Sequence, residues 1–398
     1  MTPFVHIDAD ALVASVEQAA DPRLRGIPMA VGGRKRGIIA AASYEARQLG
    51  VYTPMPTQRA LQVCPELVVV SGNFEMYEQF SDWIFGMCEE LTPLVERSSI
   101  DEGYMDFSGT WNLSQDGIIT KVQKLDKEIH EWLKITISEG MATNKIVSAV
   151  ASKLHKPNGF LVVPKGSEAE FMGALPLSRM PGIGPKSVEA LRSIGAQRIE
   201  DLLTLGQERL HPFLGKTTDS FLQLAQGIDD RRIVLEREPA KSYSQQNTFA
   251  EDMGEEDKVI SHLMTMIDDE MIRLRDEGKQ ARTFSVRIRY TDMEECETSR
   301  SLNEPSSLEN DFYPFVSPML KKLWQRRVHL RLVGVRFSRI YDAFEQLEFF
   351  DRKRQRLRQL SHTIDQVNEA YGKYTVQRAY RIGMNSRGGG KRRTPFHP

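Results

Sequence analysis

Cysteine is scarce in this chain. Cys64, Cys88 and Cys296 are odd in number, scattered and without the paired spacing of a metal site. That excludes a disulfide-stapled scaffold and suggests reduced thiols in a cytoplasmic protein. No apolar run reaches the length of a membrane span, and Asp8 and Asp10 interrupt the only stretch resembling a signal peptide. Excess charge is lacking too, with 53 Lys and Arg against 54 Asp and Glu and a net charge of −1. What remains is ordinary for a soluble protein: 398 residues, 40% hydrophobic and 27% charged, enough for two to four domains with real cores.

The charge balance hides a gradient. From Lys321 onward there are 19 Lys and Arg against 6 Asp and Glu, while the first 320 residues hold 34 against 48. A basic end beside an acidic body suits a protein that grips phosphates with one and cations with the other.

Two acidic stretches organise the chain. Ser98–Phe107 contains Asp101-Glu102 in an alternating run that predicts a short strand or a tight turn entering one. Neighbouring strand side chains point to opposite faces, so these two carboxylates can share a cation only at a bend. Alone, the pair fits an acidic turn better. Phe4–Asp10 adds a second acidic strand, ending in Asp8-Ala9-Asp10 and followed by helical Ala14–Gln18. Carboxylates gathered from distant strand ends suit Mg²⁺, which takes oxygen ligands at about 2.0–2.1 Å. Two such ions about 3.5–4 Å apart can activate a hydroxyl and stabilise a leaving pyrophosphate.

Pro28–Gly33 reads as a strand ending in glycines, and Arg34, Lys35 and Arg36 lead into Gly37–Arg47, which starts as a strand and becomes a helix. Tyr44 and Arg47 then share one helix face. A hydroxyl beside a guanidinium fork can clamp a phosphate, and it can equally be a surface helix contact.

The blocks Ile7–Asp10, Ala42–Arg47, Gly50-Val51, Met55-Pro56 and Ser99–Glu102 follow the order and spacing of the Y-family, or translesion, DNA polymerases. Lys156-Pro157-Asn158-Gly159 and Lys241-Ser242 agree, so the resemblance covers about residues 3–340. It implies an α/β multidomain fold, a right-hand polymerase with palm, fingers, helical thumb and an α+β little finger. The corresponding boundaries are palm 1–11 and 73–164, fingers 12–72, thumb 165–231, linker 232–240, little finger 241–340 and tail 341–398. The resemblance further implies that Asp8, Asp101 and Glu102 carry two Mg²⁺ ions, which Mn²⁺ can replace, with the Ala9 carbonyl as a further ligand. Tyr44, Arg47 and Lys156 would hold the incoming triphosphate. Lys156 also follows the helical segment Asn144–His155, where a helix C-terminal lysine is favoured by the macrodipole.

Two positions depart from the family pattern. Val13 stands where an aromatic ring usually lies under the sugar, which points to relaxed discrimination against ribonucleotides. Ala41 replaces a hydroxyl that commonly helps hold the triphosphate, a loss of about 0.5–1.5 kcal/mol. Small residues around Gly32, Gly33 and Ile38 would leave a roomy roof over the nascent pair, and no segment reads as a proofreading exonuclease.

Tyr77–Glu90 predicts an amphipathic helix with Tyr77, Phe80, Ser81, Ile84 and Cys88 on one side, and Ile119–Ile135 and Lys145–His155 predict two more. Gly182-Ile183-Gly184 with Lys186 resembles a helix-hairpin-helix, whose glycine amides can approach a DNA phosphate. It can also be a plain turn between thumb helices. Asp229–Pro239, charged and with three arginines, reads as a linker. Thr283–Tyr290 alternates so that Arg287 and Arg289 share a face, and Arg331–Ser338 offers Arg331 and Arg336. Such arginines either track a DNA backbone or are simply solvated. Gln346, Leu347, Phe349 and Phe350 resemble the peptide that bacterial polymerases insert into the sliding clamp. Asp351–Tyr371 reads as a basic helix, and Gly388–Arg393 as disordered.

The resulting expectation is a monomeric DNA-directed polymerase performing low-fidelity translesion synthesis. Its partners would be primer-template DNA, deoxynucleoside triphosphates, ribonucleoside triphosphates through the Val13 gap, and the clamp, with no membrane involved. The alternative is a non-catalytic polymerase-like adaptor that binds DNA and the clamp.

Overall fold

The computed structural model describes residues 3–33, 36–108, 114–236, 238–343, 352–372 and 374–381. They divide into two compact units, one before residue 237 and one after it. Strand β1 (Phe4–Ala9) is the middle strand of a five-stranded sheet, and its alternation decides what lies on each side. Val5 and Ile7 enter a buried apolar layer, while His6 and Asp8 face the other way.

After β1 the chain runs through α1 (Leu12–Ala20), β2 (Met29–Gly32), β3 (Ile38–Ala42), α2 (Tyr44–Gln48), β4 (Met55–Pro56), α3 (Thr57–Val63) and β5 (Val68–Val70). These strands form a separate sheet in the order β4-β3-β2-β5, parallel only between β2 and β5. Ala11, before α1, adopts a left-handed φ of 46° and offers no side-chain cap. Ser43 caps α2 properly, its Oγ accepting the Ala46 N–H at 3.3 Å.

The first sheet resumes through α4 (Phe74–Glu89), β6 (Val95–Arg97), β7 (Glu102–Asp106), α5 (Gln115–Leu133), β8 (Ile137–Ala142), α6 (Lys145–Ser152) and β9 (Phe160–Val162). Its order is β6-β7-β1-β8-β9, antiparallel except for β8 and β9. Helix α4 buries the expected side, Tyr77, Phe80, Ser81, Ile84 and Cys88, with Phe85 in addition. It packs with Val122, Leu125 and Ile129 of α5 against Val5, Ile7 and Met105. Each fully buried side chain of this size contributes about 1.5–3 kcal/mol.

Helix α6 lies on the opposite face. It approaches closely because position 140 is glycine, where a Cβ would come 2.1 Å from the Ser148 carbonyl oxygen. It ends at Ser152, short of the expected His155. Pro157 disfavours helical geometry at Lys156, so the chain unwinds before that residue.

Helices α7 (Glu168–Gly173), α8 (Pro185–Ser193), α9 (Glu200–Leu214) and α10 (Thr218–Ala225) form a cluster whose core includes Met172, Leu177, Leu191, Leu202 and Leu210. The described residues between α10 and residue 241 carry no regular element, yet the start of this stretch is tied down. Asp229 accepts the Ile146 N–H at 3.0 Å and pairs with Arg231, and the Val234 N–H donates to Glu96 at 2.7 Å.

The second unit contains β10 (Ser242–Met253), α11 (Glu256–Asp276), β11 (Lys279–Tyr290), β12 (Glu295–Ser306), α12 (Tyr313–Leu323), β13 (Leu330–Asp342) and α13 (Arg352–Tyr371). Its sheet has the order β10-β13-β11-β12, antiparallel throughout. Helices α11 and α12 cover one face over a core that includes Leu263, Ile267, Phe284, Phe312 and Phe337.

The stretch read as a basic tail is, over its described part, packed onto this unit. Arg275 forks Asp365 at 2.6 and 3.1 Å and pairs with Glu309 at 2.7 Å. The Tyr380 hydroxyl donates to Asp268 at 2.6 Å, and Arg381 donates to Asp269 at 2.8 Å. Burial holds the Asp268 carboxyl up at about 6 despite its tyrosine and arginine partners. No helix among the described residues is long and apolar enough to cross a membrane.

Candidate active site

Antiparallel pairing of β1 with β7 sets Asp8 directly opposite Glu102. The Ala9 N–H donates to the Asp101 carbonyl at 2.8 Å, which sets the backbone of Asp101 beside Asp8 and Glu102 along the edge formed by these strand ends. Asp101 and Glu102 escape the opposite-faces problem because β7 begins only at Glu102. Asp101 lies in the preceding bend, where the Ser98 and Ser99 N–H groups both reach the Glu102 carbonyl at 3.0 and 3.1 Å. The Ser99 hydroxyl in turn holds the Asp101 carboxylate.

The three carboxylates are hard oxygen donors, a chemistry that suits Mg²⁺ or Mn²⁺ better than a soft metal. Among the described residues, no three acidic, His or Cys side chains converge tightly enough to hold one ion. Two ammonium groups sit among the carboxylates instead. Lys156 Nζ contacts Asp8 and lies 3.7 Å from Asp10, and Lys153 Nζ lies 2.7 Å from Glu102. Burial pushes the Asp8 carboxyl above its ordinary range, with Lys156 and Lys153 opposing the shift.

Beneath this edge, His6 is buried, with Nδ1 2.7 Å from Ser152 Oγ and its ring edge-on to Tyr104 at 4.6 Å. Burial first, and then the nearby lysines, hold its pKa well below the usual 6.5.

Asp10 has a different part from Asp8. Almost wholly buried, its carboxylate accepts Thr136 Oγ1 at 2.8 Å, Ser138 Oγ at 2.9 Å and the Asn158 N–H at 2.7 Å. It also receives the Tyr44 hydroxyl at 3.3 Å. Asp10 therefore ties α2, β8 and the Lys156 loop to the end of β1. Tyr44 and Arg47 do share a face, with the guanidinium 4.8 Å from the Tyr44 ring centre and Nε bonded to the Ala42 carbonyl at 3.0 Å. Burial, then Asp10, keeps the Tyr44 hydroxyl protonated. Val13 is half-buried between the core beneath β1 and the cluster of Leu24, Met29 and Val31.

The remaining candidates are dispersed. Gly182 has a left-handed φ of +87°, which favours glycine, and a side chain there would also meet Phe221 at 3.3 Å. Gly184 precedes α8 with open space around it, and Lys186 is exposed. In the second unit, Arg287 and Arg289 project from the sheet face opposite the helices, but neither is simply solvated. Arg287 donates to Glu297 at 2.8 Å and Arg289 to Glu295 at 2.6 Å, across β11 and β12. Arg336 is exposed on β13. Arg331 falls at a register shift, between core residues Leu330 and Val333, which turns it out of the core. Gln346, Leu347, Phe349 and Phe350 lie outside the described residues.

Sequence reading left Asp10, Lys153, His6 and Lys145 without a role. Lys145 is buried at the start of α6, 2.6 Å from Glu96 and 4.7 Å from the centre of the Tyr104 ring. The spacing of Lys153 and Lys156, three apart beyond a helix, was an available signal for one of them.

Comparison with known proteins agrees on one family. Residues 7–153 match the impB/mucB/samB family, residues 240–349 its C-terminal domain and residues 165–196 the IMS family HHH motif. The chain is 45% identical to a DNA polymerase IV of Opitutus terrae, covering 95% of this chain and 97% of that one. It is 33% identical, with the same coverage, to a DNA polymerase IV of Dehalococcoides mccartyi. Among solved structures, the Y-family DNA polymerase chimera Dbh-Dpo4(243-245)-Dbh aligns with a TM-score of 0.73 at 25% identity, over 85% of this chain and 99% of that one.

Proposed function

This chain belongs to the impB/mucB/samB family, the Y-family DNA polymerases, and from that premise we propose that Asp8, Asp101 and Glu102 hold two divalent cations for nucleotidyl transfer. Mg²⁺ is the natural ion and Mn²⁺ a substitute. The observation that carries this reading is the cross-strand pairing of Asp8 with Glu102, with Asp101 bonded to Ala9 beside them. When bound, the cations neutralise charge on the phosphates and activate the primer hydroxyl. The protein's own groups do the positioning. Tyr44 and Arg47, fixed through Asp10 and the capped α2, meet the triphosphate, and Lys156 exchanges Asp8 for a phosphate oxygen. The Ala9 carbonyl is the remaining oxygen ligand. The palm is assigned to residues 1–11 and 73–164, the fingers to 12–72, the thumb to 165–231 and the little finger to 241–340.

Val13 supplies a shorter floor under the sugar than an aromatic ring would, and this supports ribonucleotide acceptance. Equal, strong rejection of rCTP by wild type and Val13→Tyr would remove that part of the reading. Gly182, Gly184 and Lys186, with Arg287, Arg289, Arg331 and Arg336, are assigned to the DNA backbone, where contacts give salt-sensitive affinity without sequence preference. Gln346–Phe350 is assigned to the sliding clamp. The enzyme is read as a cytoplasmic monomer of low fidelity.

The deciding experiment is Mg²⁺-dependent extension of a primed template by wild type and by the Asp101→Ala/Glu102→Ala variant. Extension by wild type and none by the variant is expected. No extension by wild type with DNA binding intact would mean a polymerase-like adaptor.

A further inference from the structure

Lys153 has no part in the assignments above, yet it reaches the centre of the site. Its Nζ lies 2.7 Å from Glu102 Oε2 and 4.0 Å from Asp8 Oδ2, bridging the two strands that carry the acidic residues. The position it starts from is fixed. Helix α6 is pressed onto β8 at Gly140, and Ser152, the residue before Lys153, is bonded to His6 on β1 at 2.7 Å. Beyond it, the Asn158 N–H anchors the loop to Asp10 at 2.7 Å. Between these two anchors the backbone holds both lysines over the carboxylates, Lys156 on Asp8 and Lys153 on Glu102. Lys156 has a second anion to go to in the proposed reaction. Lys153, with 45% of its side chain exposed, has only the carboxylates.

We propose that Lys153 is a positioning residue of the polymerase centre, whose ammonium holds Glu102 toward Asp8 until a divalent cation displaces it. The inference rests on reading Asp8, Asp101 and Glu102 as the metal-holding carboxylates. The ammonium and a divalent cation repel each other and compete for the same carboxylate oxygens, so cation binding and the Lys153–Glu102 ion pair oppose each other. The cation must break that pair, and the protein alone binds it more weakly than the carboxylates by themselves would.

The test is a Mn²⁺ titration of the full chain followed by electron paramagnetic resonance, without nucleotide or DNA. Lys153→Gln should bind Mn²⁺ roughly two- to fivefold more tightly than wild type, the range for losing a partly exposed ion pair. Lys153→Arg should stay near wild type. Equal or weaker binding by Lys153→Gln overturns the inference. Wild-type affinity in Asp101→Ala/Glu102→Ala would place the ion elsewhere and overturn the underlying reading as well. Should Lys153→Gln not fold, wild type carries the test through ¹³C-methylated lysine spectra. The resonance missing from Lys153→Arg should shift on Mg²⁺ addition, and should not shift in the double carboxylate variant. A resonance that Mg²⁺ leaves in place overturns the inference.

Discussion

Asp10 offers the sharpest separation between holding a site together and doing its chemistry. In Asp10→Asn the shape is kept and the charge is lost. Three short bonds, from Thr136 Oγ1, Ser138 Oγ and the Asn158 N–H, change from charge-assisted to neutral. Each such change costs about 1 kcal/mol. The two hydroxyls can rotate to accept from an amide, but the Asn158 N–H cannot, so the amide oxygen must take that position. Relief from burying a charge offsets part of the loss. The net expectation is destabilisation of the first unit by about 1–2 kcal/mol, measured as the shift of its urea unfolding midpoint by circular dichroism. The second consequence is kinetic. Tyr44 loses its carboxylate partner at 3.3 Å, and the stacked Arg47 loses a fixed neighbour. KM for the nucleotide should rise about five- to tenfold, with kcat falling by less, because ground-state and transition-state contacts weaken together. Asp101→Asn should do the reverse. A collapse of kcat in Asp10→Asn at unchanged stability and KM would refute the reasoning and put Asp10 among the metal-holding residues.

Other perturbations test separate parts of the fold. Glu139 is buried on β8 with one carboxyl oxygen unpaired, and burial, then Asp126 and Asp10, push its pKa up from 4.5 to about 9. Between those values the unfolded chain ionises while the folded one does not, so stability falls by about 1.4 kcal/mol per pH unit across that window. Glu139→Gln should therefore match wild type near pH 5 and exceed it by about 2–4 kcal/mol near pH 8 in urea unfolding. Tyr380→Phe removes one donor from buried Asp268 and should cost the second unit about 1–2 kcal/mol, seen as faster proteolysis of the 352–381 segment. Glu295→Gln/Glu297→Gln frees Arg287 and Arg289 from their cross-strand partners and should tighten primer-template binding about three- to tenfold at low salt. Unchanged affinity there, with loss in Arg287→Ala/Arg289→Ala, would mean the glutamates do not compete with DNA.

Local pattern made much of this molecule legible. Alternation in Phe4–Asp10 and Thr283–Tyr290 marks two strands that the structure contains, and the Tyr77–Cys88 spacing marks the buried side of α4. What stayed hidden depends on which distant elements meet. Asp8 lies on β1 and Asp10 just past its end, two residues apart and with the same side chain. They differ because β8 brings Thr136 and Ser138 under one, while β7 brings Glu102 beside the other. The spacing of Lys153 from Lys156 is readable in the sequence, but its place over Glu102 follows only once α6 is known to stop at Ser152 and to rest on Gly140. The pairing of Arg287 with Glu297 and of Arg289 with Glu295 sits between these extremes. A tight hairpin through Asp292 fixes that register, so two short strands written side by side would have shown glutamates opposite arginines. Where the partner lies across a turn, charge can be paired from sequence. Where it lies across a sheet assembled from remote segments, the same residue reads as free, and its role follows from burial and distance alone.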